Sequence, residues 1–252
     1  HDDVIMSANG LDGAQESFFS KFKYNLNDSI SFTLTVDEQN WDGDWNLATD
    51  VGMSYFPSLV NTSSSLGQDR GFRDRYSLDI DFNINSIFAE SASVKFYSQT
   101  TEQSQMTTKE KQTFGRGPQF GPTSMVAEIS NYHFNQEVTG ISAQLSNSFK
   151  TIFGHEHDLV YGFENESIET QRPRSKLNID AMSGVTTSIF GADRFPNKTF
   201  PDTEVKRIGI FINDRINVTD RATLVMGLRY DSYELEPTPD TLFNNSNVSS
   251  YD

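Results

Sequence analysis

The side chains best suited to metal chemistry in this sequence are its histidines. His155 and His157 flank Glu156, and on a β-strand both imidazoles point to one face, an arrangement that can bind a metal. This tract adjoins a short predicted turn, so we interpret it as ordinary turn polarity and predict no metal site. Tyr132 and His133 instead follow a long predicted connection, and both residue types can supply an axial ligand to iron. We predict a ligand contact there, with exposed rim residues as the alternative.

A second candidate site lies in an acidic stretch that carries aromatic residues. Its opening, Asp42-Gly43-Asp44-Trp45-Asn46, resembles the start of a calcium loop, but the twelfth position holds Met53 where that loop needs Glu. We therefore interpret the stretch as an acidic loop whose aromatic residues contact a partner protein or a flat ligand. These ligand-binding candidates are Trp45, Tyr55 and Phe56.

Composition narrows the function classes. The chain has 35 acidic and 20 basic residues, a net charge of −15, which argues against nucleic acid as a partner. Cysteine is absent, which removes thiolate nucleophiles, disulfides and Cys-based zinc sites. We find no catalytic constellation, so we predict neither an enzyme nor a cofactor.

The elements that must position these candidates are β-strands, because apolar and polar residues alternate in segment after segment. In residues 75–84, for example, Tyr76, Leu78 and Ile80 fall on one side and charged or polar residues on the other. We predict about eight antiparallel strands. Membrane-facing positions come from the clearest of them: Leu78, Ile80, Phe82, Ile208, Ile210, Ile212, Leu224, Met226 and Leu228.

The lengths of the connections distinguish a membrane barrel from a soluble β-sandwich, whose strands also alternate. Short turns are predicted at Asn27-Asp28, 85–90, 150–154 and 218–221, whereas connections 41–71, 107–131 and 173–201 each exceed twenty residues. Short periplasmic turns and long extracellular loops are typical of an outer-membrane barrel. The sequence has no apolar run long enough for a transmembrane helix and no export signal at its start, so we expect a fragment.

The C-terminal part resembles TonB-dependent receptors. Phe200-Pro201-Asp202-Thr203, the strand from Ile208 to Asp214, and Leu224-Val225-Met226-Gly227-Leu228-Arg229-Tyr230-Asp231 are similar to consecutive barrel strands of that family. The tract from His157 to Phe163, followed by 170–174, looks like the haem and haemoglobin branch.

This resemblance implies that residues 1–252 belong to one barrel domain of about 22 strands, with the plug and the C-terminal strands absent here. It implies an outer-membrane receptor that captures haem or a haem protein and imports it with energy coupled through TonB, which would act on the missing N-terminal parts. The expected partners are membrane lipid and this ligand. The Phe-Arg-Ala-Pro and Asn-Pro-Asn-Leu tracts typical of the haem branch do not occur in this sequence.

Three alternatives stay open at this point. A siderophore receptor of the same family has similar strands. A structural or adhesin barrel of eight strands would fit this length. A soluble carbohydrate-binding β-sandwich would use the loop aromatics as its binding platform.

Overall fold

Long β-strands make up almost the whole chain. A computed structural model describes residues 10–55, 58–115, 118–219 and 221–244. Two short 3-10 helices, Ala48–Asp50 and Pro118–Phe120, and a four-residue helix α1 (Thr241–Asn244) accompany the strands. The strands are β1 (Gly10–Asn27), β2 (Ile30–Asn46), β3 (Gly52–Ser54), β4 (Leu59–Asn83), β5 (Ser91–Phe114), β6 (Ser124–Lys150), β7 (Glu156–Gln171), β8 (Pro173–Asp180), β9 (Thr186–Thr187), β10 (Ile189–Phe190), β11 (Asp193–Arg194), β12 (Asn197–Lys198), β13 (Asp202–Thr219) and β14 (Ala222–Thr238).

Eight long strands form an antiparallel meander in the order β1-β2-β4-β5-β6-β7-β13-β14, as the sequence predicts. β8 continues the line of β7 along β6, because Asn135 pairs with Gln171 and Tyr132 with Arg174 in one unbroken register. Together with the short strands β3, β8, β9 and β12 they form a 12-stranded sheet. Each long strand thus lies beside the next long strand in the sequence, which is the simplest route through an antiparallel sheet.

The predicted alternation of short and long connections is confirmed, but the predicted bounds of the long ones were too wide. Strands continue through 41–46, 59–71, 107–114, 124–131 and 173–180, which leaves connections of 47–58, 115–123 and 181–201. In 59–71 and 107–114 both faces carry polar residues, so the alternation that reveals a strand is lost. The backbone still pairs across the hairpin, since its N–H and C=O groups need partners whatever the side chains are.

Cross-strand partners point to the same side of a sheet, so the register divides the side chains into two faces. One row of partners is apolar on all eight strands, and we call its side the apolar face and the opposite side the polar face. The row runs Tyr24, Phe32, Ile80, Val94, Ala143, Phe163, Ile210 and Tyr230.

The sheet is a single layer without a covering layer. Among the described residues, Ala89 is the only buried apolar side chain, while Ile210 and Leu228 on the apolar face are largely exposed. A β-sandwich buries its apolar faces between two packed sheets. The described residues form one large sheet and the two-stranded pair β10–β11, so the sandwich alternative has no second layer to support it.

Candidate functional site

The apolar face carries a band of apolar side chains that includes all nine predicted membrane-facing residues. Seven of the nine are exposed, while Ile80 and Phe82 are half-buried. On β4, Leu78, Ile80 and Phe82 are even-numbered positions, and the strand registers connect them to the even-numbered positions of β13 and β14. The band therefore crosses the whole sheet on one side. Its nine predicted members are Leu78, Ile80, Phe82, Ile208, Ile210, Ile212, Leu224, Met226 and Leu228.

Toward the long connections the apolar band ends in a row of hydroxyls and then a row of carboxylates. Tyr76, Ser98, Thr139 and Ser167 are consecutive cross-strand partners. Like charges directly opposite one another are destabilising unless water surrounds them. The acidic members of the second row are Glu38, Asp74, Glu137, Glu169, Glu204 and Glu236, and Lys206 forms ion pairs with the last two.

Behind the apolar band, the polar face carries paired charges. The Arg229 guanidinium donates to Glu164 at 2.6 Å and to Asp231 at 2.8 Å, and Lys95 lies 3.0 Å from Asp79. The Tyr97 hydroxyl donates to Glu166 at 2.6 Å. These pairs neutralise much of the charge, and the face is suited to contact with water or another polar surface.

Aromatic rings lie flat on the polar face because glycines make room for them. A Cβ on Gly140 would overlap the Tyr97 ring, and a Cβ on Gly71 would overlap Trp41. Tyr97 leans across Gly140 to reach its partner on β7, and Arg75 lies over its other side, 5.4 Å from the ring centre. The two glycines therefore determine where the Tyr97 and Trp41 rings lie on the polar face.

The two residues of the predicted ligand contact point to opposite faces. Tyr132 pairs with Gln105 and Arg174 on the polar face, whereas His133 pairs with Ser104 on the apolar face. His133 is eight residues from Ile141 along β6, roughly 26 Å at about 3.3 Å per residue, so it lies well beyond the apolar band. A single ligand on the polar face would therefore meet the Tyr132 side chain and not that of His133.

Around Tyr132 the polar face holds a group that we call the rim cluster: Tyr132, Phe134, Arg172, Arg174 and Phe195. The Arg172 guanidinium lies 5.2 Å from the Phe134 ring centre, and that of Arg174 lies 5.4 Å from the ring centre of Phe195. A depression of about 340 Å³ opens among Tyr132, Phe134, Arg172 and Arg174. His133 also borders it, although the register places the His133 side chain on the opposite face. Arg172 is exposed and has no acidic partner among the described residues, so the depression presents a free cation beside aromatic rings.

The cations of the rim cluster, Arg172 and Arg174, were not among the binding residues predicted from the sequence. Arg172, Arg174 and Lys176 occupy alternate positions, so all three side chains point to the polar face. That spacing is visible in the sequence, but the region was assigned to a connection, where alternation has no meaning.

The other ligand-binding candidates do not join the rim cluster. Trp45 lies within β2 on the polar face, three strands from Tyr132, which is about 14 Å at the usual strand spacing. Its indole N–H is buried and lacks an acceptor among the described residues. Tyr55 follows β3 and is 79% exposed. Phe56 lies outside the described residues.

The connection 181–201 is held against the sheet by a buried lysine. Lys198 is 4% exposed, and its ammonium donates to Asp202 at 2.7 Å and to Asp240 at 2.7 Å. Burial alone would lower the pKa of Lys198, but the hydrogen bonds and charges of the two carboxylates raise it above its ordinary value. Nearby, Arg174 donates to the buried Asn197 at 2.6 Å. We call Lys198, Asp202 and Asp240 the loop clamp.

The His155-Glu156-His157 tract does not assemble into a metal site. His157 lies 2.8 Å from Asp214 and stacks on Phe149. Within the described ranges, no group of three or more potential ligands among His, Cys, Asp and Glu comes together to hold a metal ion. No described helix is long and apolar enough to cross a membrane.

Comparison with known proteins identifies the family. No curated protein matches the chain. Residues 18–252 match the family described as TonB dependent receptor-like, beta-barrel, and the match spans most of the sequence. The long antiparallel meander, its apolar and polar faces and this match agree, and the chain belongs to the TonB-dependent receptor-like β-barrel family.

Proposed function

We propose that the chain is part of the wall of a receptor that captures an iron-bearing ligand, haem or a haem-carrying protein, and imports it by TonB-coupled transport. Family membership implies an outer-membrane receptor or transporter. In this proposal residues 1–252 belong to one barrel domain, the apolar face contacts membrane lipid, and the polar face lines the lumen. The long connections then lie on the extracellular side.

The rim cluster is the observation that supports an iron-bearing aromatic ligand. Haem is a flat aromatic ring system with two carboxylates and an iron that accepts a Tyr or His axial ligand. Phe134 offers an apolar surface, Arg172 and Arg174 offer cations, and Tyr132 offers a phenol, all within one depression. In this proposal Tyr132 is the axial ligand, while Trp45, Tyr55 and Phe56 extend the surface that meets a carrier protein.

The same cluster supports a second candidate, a siderophore. A ferric siderophore with aromatic chelating groups is also flat in parts and anionic, and it would use the cations and rings without needing a phenol ligand to its iron. The two candidates therefore differ in the role of Tyr132.

Haem titration into the full-length receptor tests the proposal. We expect a complex with a shifted Soret band, and we expect Tyr132→Phe to move that band and weaken binding, because it removes the phenol oxygen alone. His133→Ala is the matched control, since its side chain lies on the other face, and it should leave both properties unchanged.

Absence of a Soret-shifted complex with the parent receptor would overturn the haem assignment. Binding of a ferric catecholate by that same receptor would then favour the siderophore. A Soret-shifted complex that Tyr132→Phe leaves unchanged would overturn only the role given to Tyr132.

A further inference from the structure

Two of the turns at the short-connection end of the sheet present isoleucine and phenylalanine to their surroundings. In the turn between β4 and β5, Ile87 is 84% exposed and Phe88 73% exposed. In the turn between β6 and β7, Ile152 is 95% exposed and Phe153 81% exposed. Four large apolar side chains outside the strands are therefore without cover, and the same dipeptide occurs in both turns.

The first turn is fixed and directed toward the apolar face. The Asn147 side-chain amide donates to the Ile87 carbonyl at 3.1 Å, and the Tyr161 hydroxyl donates to the Phe88 carbonyl at 3.0 Å. Asn147 and Tyr161 both belong to the apolar face, where Asn147 pairs with Leu159 and Tyr161 pairs with Leu145. Ala89, the next residue, is buried at 3% exposure. The turn is thus held over the edge of the apolar band.

The second turn is compact and leaves the sheet beside the apolar face. The Thr151 N–H donates to the His155 carbonyl at 2.9 Å, and the Gly154 N–H donates to the Thr151 carbonyl at 2.9 Å. Gly154 has φ +86°, a conformation that glycine adopts without strain. The flanking side chains on the apolar face, Phe149 and His157, stack on each other. Hydrogen bonds therefore keep Ile152 and Phe153 at the tip.

The other two turns at this end are polar. Between β1 and β2 the Asn27 side chain accepts from the Ser29 N–H at 2.8 Å, next to exposed Asp28. Between β13 and β14 the Thr219 hydroxyl accepts from the Arg221 N–H at 3.2 Å. An apolar tip is therefore not a requirement of a short turn in this sheet, and the Ile-Phe pairs need a separate explanation.

We propose that the Ile87-Phe88 and Ile152-Phe153 turns insert into the membrane leaflet on the short-turn side and fix the height of the sheet in the bilayer. The proposal rests on the lipid contact of the apolar face in the proposed function. The occupant is lipid because the fixed turn is continuous with the apolar band, and its carbonyls already have donors from that face. Apolar side chains leave water for a bilayer for the same reason that they enter a protein core.

Site-directed spin labelling of the full-length receptor in phosphatidylcholine vesicles tests this proposal. A nitroxide is attached to Phe88→Cys, Phe153→Cys, Asp28→Cys, Arg221→Cys or Ile80→Cys, one site at a time, and this chain contributes no other cysteine. Collision with oxygen, which concentrates in the bilayer, is compared with collision with a water-soluble nickel chelate. We expect Phe88→Cys and Phe153→Cys to favour oxygen, as Ile80→Cys does, and Asp28→Cys and Arg221→Cys to favour nickel.

Each other outcome overturns a defined part. Nickel contact at Phe88→Cys and Phe153→Cys, with oxygen contact at Ile80→Cys, would overturn the insertion of the turns and leave the lipid contact of the strands intact. Exclusion of both agents from the two turns would mean that protein covers them, which also overturns insertion. Nickel contact at Ile80→Cys would overturn the lipid contact itself, and the insertion with it.

Discussion

At the scale of single residues, parity along a strand decides what each side chain meets. Ser93 and Val94 are neighbours on β5, yet Ser93 pairs with Asp81 on the polar face and Val94 with Ile80 on the apolar face. Adjacent residues therefore lie in opposite environments, Ser93 among polar side chains and Val94 among apolar ones. The same parity separates Tyr132 from His133.

Arginine at these two neighbouring positions should have very different effects. In the full-length protein in lipid we expect Val94→Arg to lower the free energy of unfolding by about 2 to 4 kcal/mol, the cost of a charge facing the bilayer midplane. Ser93→Arg should cost far less, because its guanidinium would lie opposite Asp81. Denaturant titration of both variants in lipid vesicles measures the difference, and equal costs would mean that the faces are wrongly assigned.

Gly140 should tolerate a methyl group only when Tyr97 is removed. A Cβ at this position overlaps the Tyr97 ring, so Gly140→Ala must displace the ring and its hydrogen bond to Glu166. We expect a loss of about 1 to 3 kcal/mol, typical of overpacking. In a Tyr97→Ala background the same change should be nearly neutral, and a double-mutant cycle on unfolding free energies measures the coupling. Equal costs in both backgrounds would contradict the packing described here.

At the scale of elements, two features shape the long-connection end of the sheet: the extension of its strands and the contacts of Lys198. β4, β5 and β6 extend well past the apolar band, and 181–201 is attached to the sheet through β12 and the loop clamp. The long-connection end of the sheet therefore consists of extended β-hairpins and of the connection 181–201, which the loop clamp holds, instead of three long irregular loops.

Trypsin added to intact cells should distinguish two neighbouring basic residues in 181–201. Arg194 is exposed and should be cut, whereas Lys198 is buried in the loop clamp and should resist cleavage. Replacing both carboxylates, Asp202→Asn with Asp240→Asn, should release Lys198 and add a cut after it. Lys150, at the short-turn end, is the control and should stay intact. Peptide mapping by mass spectrometry measures all three sites, and cutting at Lys150 before Arg194 would invert the proposed orientation.

The loop clamp should be intact at the pH of that digestion. The pKa of Lys198 is raised in the folded protein. Its charge therefore contributes fully to the free energy of unfolding below 10.5, the pKa of an unfolded lysine, and this contribution is lost only as pH rises through the higher pKa of the folded state. The hydrogen bond from Lys198 lowers the pKa of Asp240. The Asp240 carboxylate therefore contributes to the free energy of unfolding above 3.8, the pKa of an unfolded aspartate, and this contribution is lost as pH falls through the lower pKa of the folded state. Protection of Lys198 in the parent at pH 8 is therefore expected, and cleavage there at that pH would show that the clamp is open.

At the scale of the whole molecule, strand number, order and faces were predictable because local alternation encodes them. Alternation places Ile80 and Ile210 on the apolar face of their strands, while the turns fix the register that brings them into one row. The extensions 59–71 and 107–114 were not predictable, because polar residues on both faces leave no period. Lys198 and Asp240 are 42 residues apart, and only the folded meander brings them together. The opposite directions of Tyr132 and His133 were predictable from the parity of Ile141, because both residues follow the predicted connection 107–131, but the sequence-based prediction treated them as one contact.

The last prediction concerns the size of the closed barrel, and it separates a large receptor from the alternative of an eight-stranded barrel. In the described residues β1 and β14 each pair on one side only. In an eight-stranded barrel these two strands would be neighbours, with Cα atoms about 5 Å apart, whereas in a barrel of about 22 strands most of the wall would lie between them. Closing a barrel staggers the register by a fixed shear, so residues of one row of the open sheet do not face each other across the closure. One nitroxide is therefore placed at Lys21→Cys or Asn25→Cys on β1, and the other in turn at Val225→Cys, Tyr233→Cys or Leu235→Cys on β14, all exposed positions of the polar face. Pulsed electron–electron distance measurement on the full-length protein should give a separation of tens of ångströms. Strong short-range coupling in any of these pairs would instead show that β1 and β14 close an eight-stranded barrel. The control pair, Lys21→Cys with Thr35→Cys on the paired strand β2, must show that short-range coupling in either case.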